Sequence, residues 1–298
     1  MSIELLLDHA GSAGESEAPF GQKTTYRVGG RARGLVTIES IDALQVLGEW
    51  LRDISPIYVL GNGSNTLVAD EGFDGLVIVL GDGFGSIEFH DNAKVTLGAA
   101  VDLPVAARRL VDRNYRDFEW AVGVPGTVGG AIAMNAGGHG SDMAASVVSV
   151  RLWDIDAATV RDVPARDLHF GYRSSAITSR HVVLDATLQL REGDADEGRD
   201  ILREIVRWRR DHQPGGANAG SVFQNPPGAT AGALIDDCGC KGMRVGSAYV
   251  SEKHANFIQV DAGGRSEDVR SVMRRVHDTV LAERGIDLHS EIRLVGFS

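Results

Sequence analysis

Apolar residues recur at helical spacing in three stretches of the chain. After Ser40, a good N-cap, Leu44, Leu47 and Leu51 line one face of 41–53. Ile201, Leu202, Ile205 and Trp208 do the same over 196–211, and Val269, Val272, Met273, Val276 and Val280 over 266–284, where Gly285 supplies the stop. A further helix is predicted over 103–113, with Pro104 tolerated in its first turn. Short apolar runs predict strands at 35–38, 56–60, 75–80, 94–98, 147–153 and 292–295; the run 181–190 alternates only imperfectly at Val183, Ala186 and Leu188. The segment 1–17 is polar and rich in small residues, and reads as a loosely held lead-in. Helices and strands mix without an internal repeat, which predicts an α+β fold, and the composition break near 191–198 marks the expected domain boundary.

Composition narrows the function classes. With 298 residues, 43% hydrophobic and 24% charged, the chain can bury a sizeable core and spans about two domains at roughly 150 residues each. No apolar run approaches the ~20 residues of a membrane span, and no basic segment followed by a hydrophobic stretch opens the chain. The net charge of −11 argues against non-specific nucleic-acid binding, which needs a basic face to replace counterions. Cys238 and Cys240 make no disulfide framework and lack zinc spacing, so the expected compartment is the cytoplasm and no metal is expected.

Glycine is the outlier: 37 residues against a typical share of ~7%. Two clusters stand out. One is Gly61-Asn62-Gly63-Ser64-Asn65 directly after a predicted strand, and the other runs from Gly123 to Gly138 and reads as loop. Glycines remove the Cβ atoms that would block a ligand, while Ser64 and Asn65 add donors. Taken alone, the first cluster is equally consistent with a ligand-free corner at the end of a strand. Neither a G-x-x-x-x-G-K-[ST] loop nor a G-x-G-x-x-G at a helix start is present, which disfavours the P-loop and Rossmann classes.

Six motifs occur in order: 25–30 (TYRVGG), 60–66, 123–137, 171–174 (GYRS), 220–223 (GSVF) and 291–294 (EIRL). In this respect the chain resembles the UDP-N-acetylenolpyruvoylglucosamine reductase (UDP-N-acetylmuramate dehydrogenase) family of bacterial cell-wall synthesis, from about residue 20 to the C-terminus. The resemblance implies a bipartite FAD-binding domain of the vanillyl-alcohol oxidase/para-cresol methylhydroxylase type at 20–192, with parts at about 20–80 and 81–192. It further implies a C-terminal α+β substrate domain at 193–298 after a lead-in at 1–19. FAD, held non-covalently, would lie against Arg27, Gly29, Gly30, Gly61, Asn62, Gly63, Ser64, Asn65, Thr66, Gly123, Val124, Pro125, Gly126, Gly129, Gly130 and Ala131, and Asn135, Ala136 and Gly137 would extend the flavin-side wall. His139 follows this wall, but nothing in the sequence asks for covalent attachment.

The family's chemistry is reduction of FAD by NADPH, followed by hydride transfer to the β-carbon of an enolpyruvyl group. By resemblance Arg173 stabilises the enolate, Ser221 protonates the α-carbon and Glu291 acts with Arg173. The nucleotide-sugar diphosphate is expected against Arg209, Arg210 and Gln213 of an R-R-x-x-Q-P segment, with Tyr172, Asn225, Lys253 and His254 nearby. Gln224 stands where many members carry a lysine before Asn-Pro, and the chain lacks room for the extra tyrosine-bearing loop of the longer subclass. The expected assembly is a monomer or weak homodimer without nucleic-acid or membrane partners. An FAD-dependent oxidase or lactone dehydrogenase shares the glycine loops but does not explain Arg173, Ser221 and Glu291 together; a nucleotide-sugar binding protein without chemistry is the third reading.

Overall fold

A computed structural model describes residues 2–297. The chain divides into two compact units that interleave along the sequence: one comprises 1–17, 33–62 and 75–208, the other 18–32, 63–74 and 209–298.

The first unit begins with a helix where the sequence predicts a loose lead-in. Helix α1 (Ile3–Ala10) is capped by the Ser2 hydroxyl, which accepts from the Leu5 N–H, and it buries Ile3, Leu6 and Leu7. Three apolar residues on one helical face outweigh the polar surroundings. They join a core with Leu44, Leu47 and Leu51 of α2 (Ile41–Arg52) and with Val36, Ile38, Leu76 and Ile78 of a four-stranded sheet. That sheet runs Gly14–Ala18, Ala32–Ile38, Phe73–Leu80, Ile57–Leu60, its last two strands being parallel.

A second sheet in this unit has five antiparallel strands, in the order Thr159–Pro164, Val147–Asp154, His181–Gln189, Lys94–Gly98, Ile87–Phe89. On it sit α3 (Leu103–Val111) and, inside the stretch expected to be loop, α4 (Val128–Met134). The paired glycines of α4 lower its intrinsic propensity. The Thr127 hydroxyl caps it by accepting from Gly130 N–H at 3.3 Å, and burial of Val128, Ala131 and Ile132 holds it. Leu202 and Ile205 of α5 (Ala195–His212) complete that core.

The second unit centres on α6 (Ala231–Asp237), α7 (Ser266–Arg284) and a three-stranded antiparallel sheet of Arg244–Val245, Ala248–Val250 and Ile258–Val260. Val269, Val272, Val276 and Val280 of α7 bury against Val250 and Ile258. Tyr26, Val28 and Leu67 belong to the same core. The strand Thr66–Val68 lies parallel to Arg293–Val295, which is how the early segment joins the C-terminal one. Both cysteines are free, and burial pushes the Cys240 thiol up. No helix among the described residues is long and apolar enough to cross a membrane.

The α1 finding has a direct test. Leu6 is fully buried whereas Leu5 is 52% exposed. Leu6→Ala is expected to cost about 2–5 kcal/mol in urea denaturation, and Leu5→Ala under about 0.5 kcal/mol. Equal midpoints for the two variants would mean that α1 does not pack.

Candidate active site

In the first unit the two glycine clusters meet. Asn62 Nδ2 donates to Asp102 Oδ1 at 2.6 Å, and Asp102 bridges to Thr127. A Cβ on Gly61 would stand 2.5 Å from Thr127 Oγ1, so glycine is obligatory there. Gly130 differs: its nearest neighbour in that direction is Thr127 Oγ1 at 3.6 Å, so the protein itself would tolerate a side chain. Its absence keeps that face of the turn open to a flat or bulky ligand.

Arg173 sits in a tight turn closed by Gly171 N–H to Ser174 O (3.0 Å) and Ser174 N–H to Gly171 O (3.2 Å). Its φ of +55° is a left-handed conformation unusual for a residue with a side chain. The guanidinium donates from Nη2 to Gly137 O at 3.0 Å and lies 5.2 Å from the centre of the exposed Tyr172 ring. Asn135, expected in the flavin-side wall, is 3% exposed and its side chain turns into the protein. His139 is exposed, with its ring edge-on to Trp208 at 5.3 Å.

The second unit carries Ser221 and Glu291 on adjoining backbone. Glu291 N–H donates to Val222 O at 2.7 Å, Gln224 N–H to His289 O at 2.9 Å, and Phe223 pairs with Ser290. Buried Asn256 locks this segment from the other side, accepting from Phe223 N–H (2.9 Å) and donating to Phe223 O (2.8 Å). Asn65 then ties the first glycine cluster to Glu291: its Nδ2 donates to Glu291 O at 3.1 Å, and its own carbonyl accepts from Arg293 N–H at 2.9 Å. By resemblance Asn256 belongs with Lys253 and His254 to a segment expected to line the substrate cleft; its tether to Phe223, more than thirty residues away, is marked by nothing in the local pattern. Gly29 and Gly30 serve the protein's own packing. A Cβ on Gly29, at φ +103°, would lie 2.2 Å from Val68 O, and one on Gly30 2.5 Å from Asp70 O. Arg27 is exposed at φ +55°.

The expected diphosphate residues gather in this unit. Lys253 Nζ donates to Arg210 O, which joins the two cationic segments. Burial pulls the Arg209 guanidinium down from its ordinary value, and no carboxylate pairs with it among the described residues. Burial also pulls the His254 imidazole below its ordinary value, helped by the charge of Lys241. Its Nδ1 accepts from Asn256 N–H at 3.2 Å, so the proton of the neutral ring sits on Nε2 as a donor. Asn225 Oδ1 is occupied by Ala231 N–H at the start of α6.

Residues 212–295 match the family described as UDP-N-acetylenolpyruvoylglucosamine reductase, C-terminal domain, and residues 32–163 match the FAD binding domain family. The chain is 38% identical over 289 residues to the UDP-N-acetylenolpyruvoylglucosamine reductase of Synechococcus sp., covering 95% of this chain and 93% of that one. It is 39% identical over 284 residues to UDP-N-acetylenolpyruvoylglucosamine reductase 2 of Symbiobacterium thermophilum, covering 93% and 91%. Its fold is similar to the crystal structure of the corresponding reductase of Thermus caldophilus, with a TM-score of 0.81 at 34% identity, over 95% of this chain and 98% of that one.

His254 makes stability pH-dependent. As pH falls through about 6.5 the unfolded chain takes up a proton that the folded imidazole resists, so the unfolded state binds more protons and stability drops. Between about pH 7.5 and 5.5 the melting temperature of the wild type is therefore expected to fall relative to that of His254→Gln. A gap between them that does not change with pH would contradict the buried neutral ring.

Proposed function

The chain belongs to the UDP-N-acetylenolpyruvoylglucosamine reductase family, and we propose that it reduces UDP-N-acetylglucosamine enolpyruvate to UDP-N-acetylmuramate in peptidoglycan precursor synthesis, with NADPH as electron source. What carries the reading is the stitching of Asn65, in the first glycine cluster, to the backbone of Glu291, which in turn bonds Val222 beside Ser221.

The residues present fit FAD. Gly61 and Asn62, fixed against Thr127 and Asp102, the following turn Gly63–Thr66, and the segment Gly123, Val124, Pro125, Gly126, Gly129, Gly130 and Ala131, with the open face at Gly130, would hold it; Ala136 and Gly137 would continue the wall. When bound, FAD supplies the redox chemistry, accepting a hydride from NADPH and giving it to the β-carbon of the enolpyruvyl double bond. Arg173 grips the substrate carboxylate and offsets the negative charge that grows on it; a guanidinium does so through two parallel N–H···O bonds and never loses its charge. Ser221 delivers a proton to the α-carbon. A hydroxyl is a weak acid, but a carbanion-like carbon is a far stronger base, so the transfer runs downhill. Glu291 acts with Arg173 on the same intermediate. The net change is one hydride and one proton added across the double bond, with NADPH oxidised to NADP⁺.

Arg209, Arg210, Gln213, Lys253 and neutral His254 take the diphosphate, and Tyr172 and Asn225 serve as further substrate contacts. A partly buried guanidinium without a carboxylate partner is what an anionic ligand would complete. The acidic protein then works on a dianion through a local cationic island. The proposed enzyme works in the cytoplasm as a monomer or weak homodimer.

The purified protein is expected to be yellow, to bleach with NADPH and to regain colour with the enolpyruvyl nucleotide. Ser221→Ala should keep reduction of the flavin by NADPH and lose substrate turnover by about 10²–10⁴-fold. Unchanged turnover would remove Ser221 from proton delivery, and a colourless protein that FAD cannot reconstitute would overturn the function.

A further inference from the structure

Asn135 ends α4 in the left-handed region at φ +42° and ψ 56° and is 3% exposed. Each polar atom of its side chain has a partner inside the protein. Nδ2 donates both to Asp142 Oδ2 at 3.1 Å and to Gly171 O at 2.9 Å, while Oδ1 accepts from Ala144 N–H at 3.0 Å. The reverse orientation of the amide would set its oxygen against a carboxylate and a carbonyl and its nitrogen against an N–H, so the assignment of donor and acceptor follows from the partners.

One partner supports Arg173 directly and the other is paired with its second support. Gly171 is the root of the turn that carries Arg173, and its carbonyl is the one that also accepts the turn-closing bond from Ser174. Asp142 lies opposite Gly137 in the short hairpin Gly137–Gly138 with Ser141–Asp142, and Gly137 O is where the guanidinium rests. One amide therefore fixes the carbonyl beneath the backbone of Arg173 and the strand facing its charged end. Asparagine suits the position because it tolerates the left-handed region and has two donors; aspartate shares the first property and lacks the second.

We propose that Asn135 is a positioning residue that sets Arg173 in register for reaction, with its side chain making no contact to the cofactor. The inference rests on the reading of Arg173 given under Proposed function. Displacement of a binding group by about 1 Å can cost about 10²-fold in rate.

The test uses holoenzyme and a double-mutant cycle with Arg173→Ala. Asn135→Gly keeps the left-handed backbone without strain and removes the amide. It is expected to retain FAD and the rate of flavin reduction by NADPH while kcat for the enolpyruvyl nucleotide falls about 10–100-fold. In the Arg173→Ala background the same substitution is expected to cost less than about 2-fold, because its effect runs through Arg173. Wild-type kcat in Asn135→Gly, an equal loss in both backgrounds, or release of FAD from an otherwise folded Asn135→Gly would each overturn the proposal. If Asn135→Gly fails to fold, the exchange Asn135→Asp with Asp142→Asn decides: it restores the hairpin contact with donor and acceptor swapped but leaves Gly171 O without its donor. Folding and flavin content restored with turnover still low supports the proposal, and turnover restored to wild type overturns it. Wild-type turnover in Arg173→Ala alone would instead remove the reading on which the inference rests, whereas a loss there beside an unaffected Asn135→Gly removes only the positioning role.

Discussion

A glycine-rich turn buries no side chain, so hydrogen bonds rather than packing must hold its shape. In this protein asparagine amides provide them at each critical place. Asn62 reaches Asp102, Asn65 reaches the carbonyl of Glu291, Asn135 spans Asp142 and Gly171, and Asn256 clasps both backbone groups of Phe223. An amide suits this work because it donates and accepts at once and has no charge to desolvate. Glycine leaves room for a ligand to approach, and the neighbouring asparagine replaces the rigidity that the missing side chain would have given. The proposed chemistry depends on this division of labour, since a flavin ring and an enolpyruvyl carboxylate both require donors fixed before they arrive.

Charge is arranged on the same logic. The protein carries a net −11, yet Arg209, Arg210, His212 and Lys253 cluster in the second unit. Within that cluster the groups are not equivalent. Arg209 is partly desolvated without a carboxylate to offset it, Lys253 is bonded to the Arg210 carbonyl, and His254 is kept neutral. The proposed diphosphate would meet two guanidinium groups, an ammonium already bonded to the Arg210 carbonyl and one neutral donor.

The long helices α2, α5 and α7 were legible in sequence because each has an apolar stripe of about two turns or more. Helix α4 was not, since Gly129 and Gly130 hide a helix that depends on the Thr127 cap and on burial. Helix α1 was hidden by small polar neighbours that say nothing about what Ile3, Leu6 and Leu7 pack against. The strands around Val245, Val250 and Ile258 are too short to show a period. The six motifs marked where chemistry could lie, but the sequence was silent on their tethers. The bond from Asn65 to Glu291 and the parallel pairing of Thr66 with Arg293 join residues at opposite ends of the chain. Local pattern carries no information about such pairs.

Left-handed backbone recurs at the turns of this protein, in glycines and in residues that carry side chains. A left-handed position costs a side-chain-bearing residue about 1–2 kcal/mol relative to glycine, with asparagine penalised least. Where the turn is all that matters, glycine is the cheapest answer, as at Gly29 and Gly220. At Asn135 the penalty is small and three hydrogen bonds return more than it costs. Arg173 is held differently. Its turn closes through the backbone of Gly171 and Ser174, and its guanidinium donates to Gly137 O at 3.0 Å and lies over the Tyr172 ring. The role proposed for Arg173, gripping a substrate carboxylate, would give a side chain in that turn a use beyond the fold, since a guanidinium matches a carboxylate through two parallel N–H···O bonds.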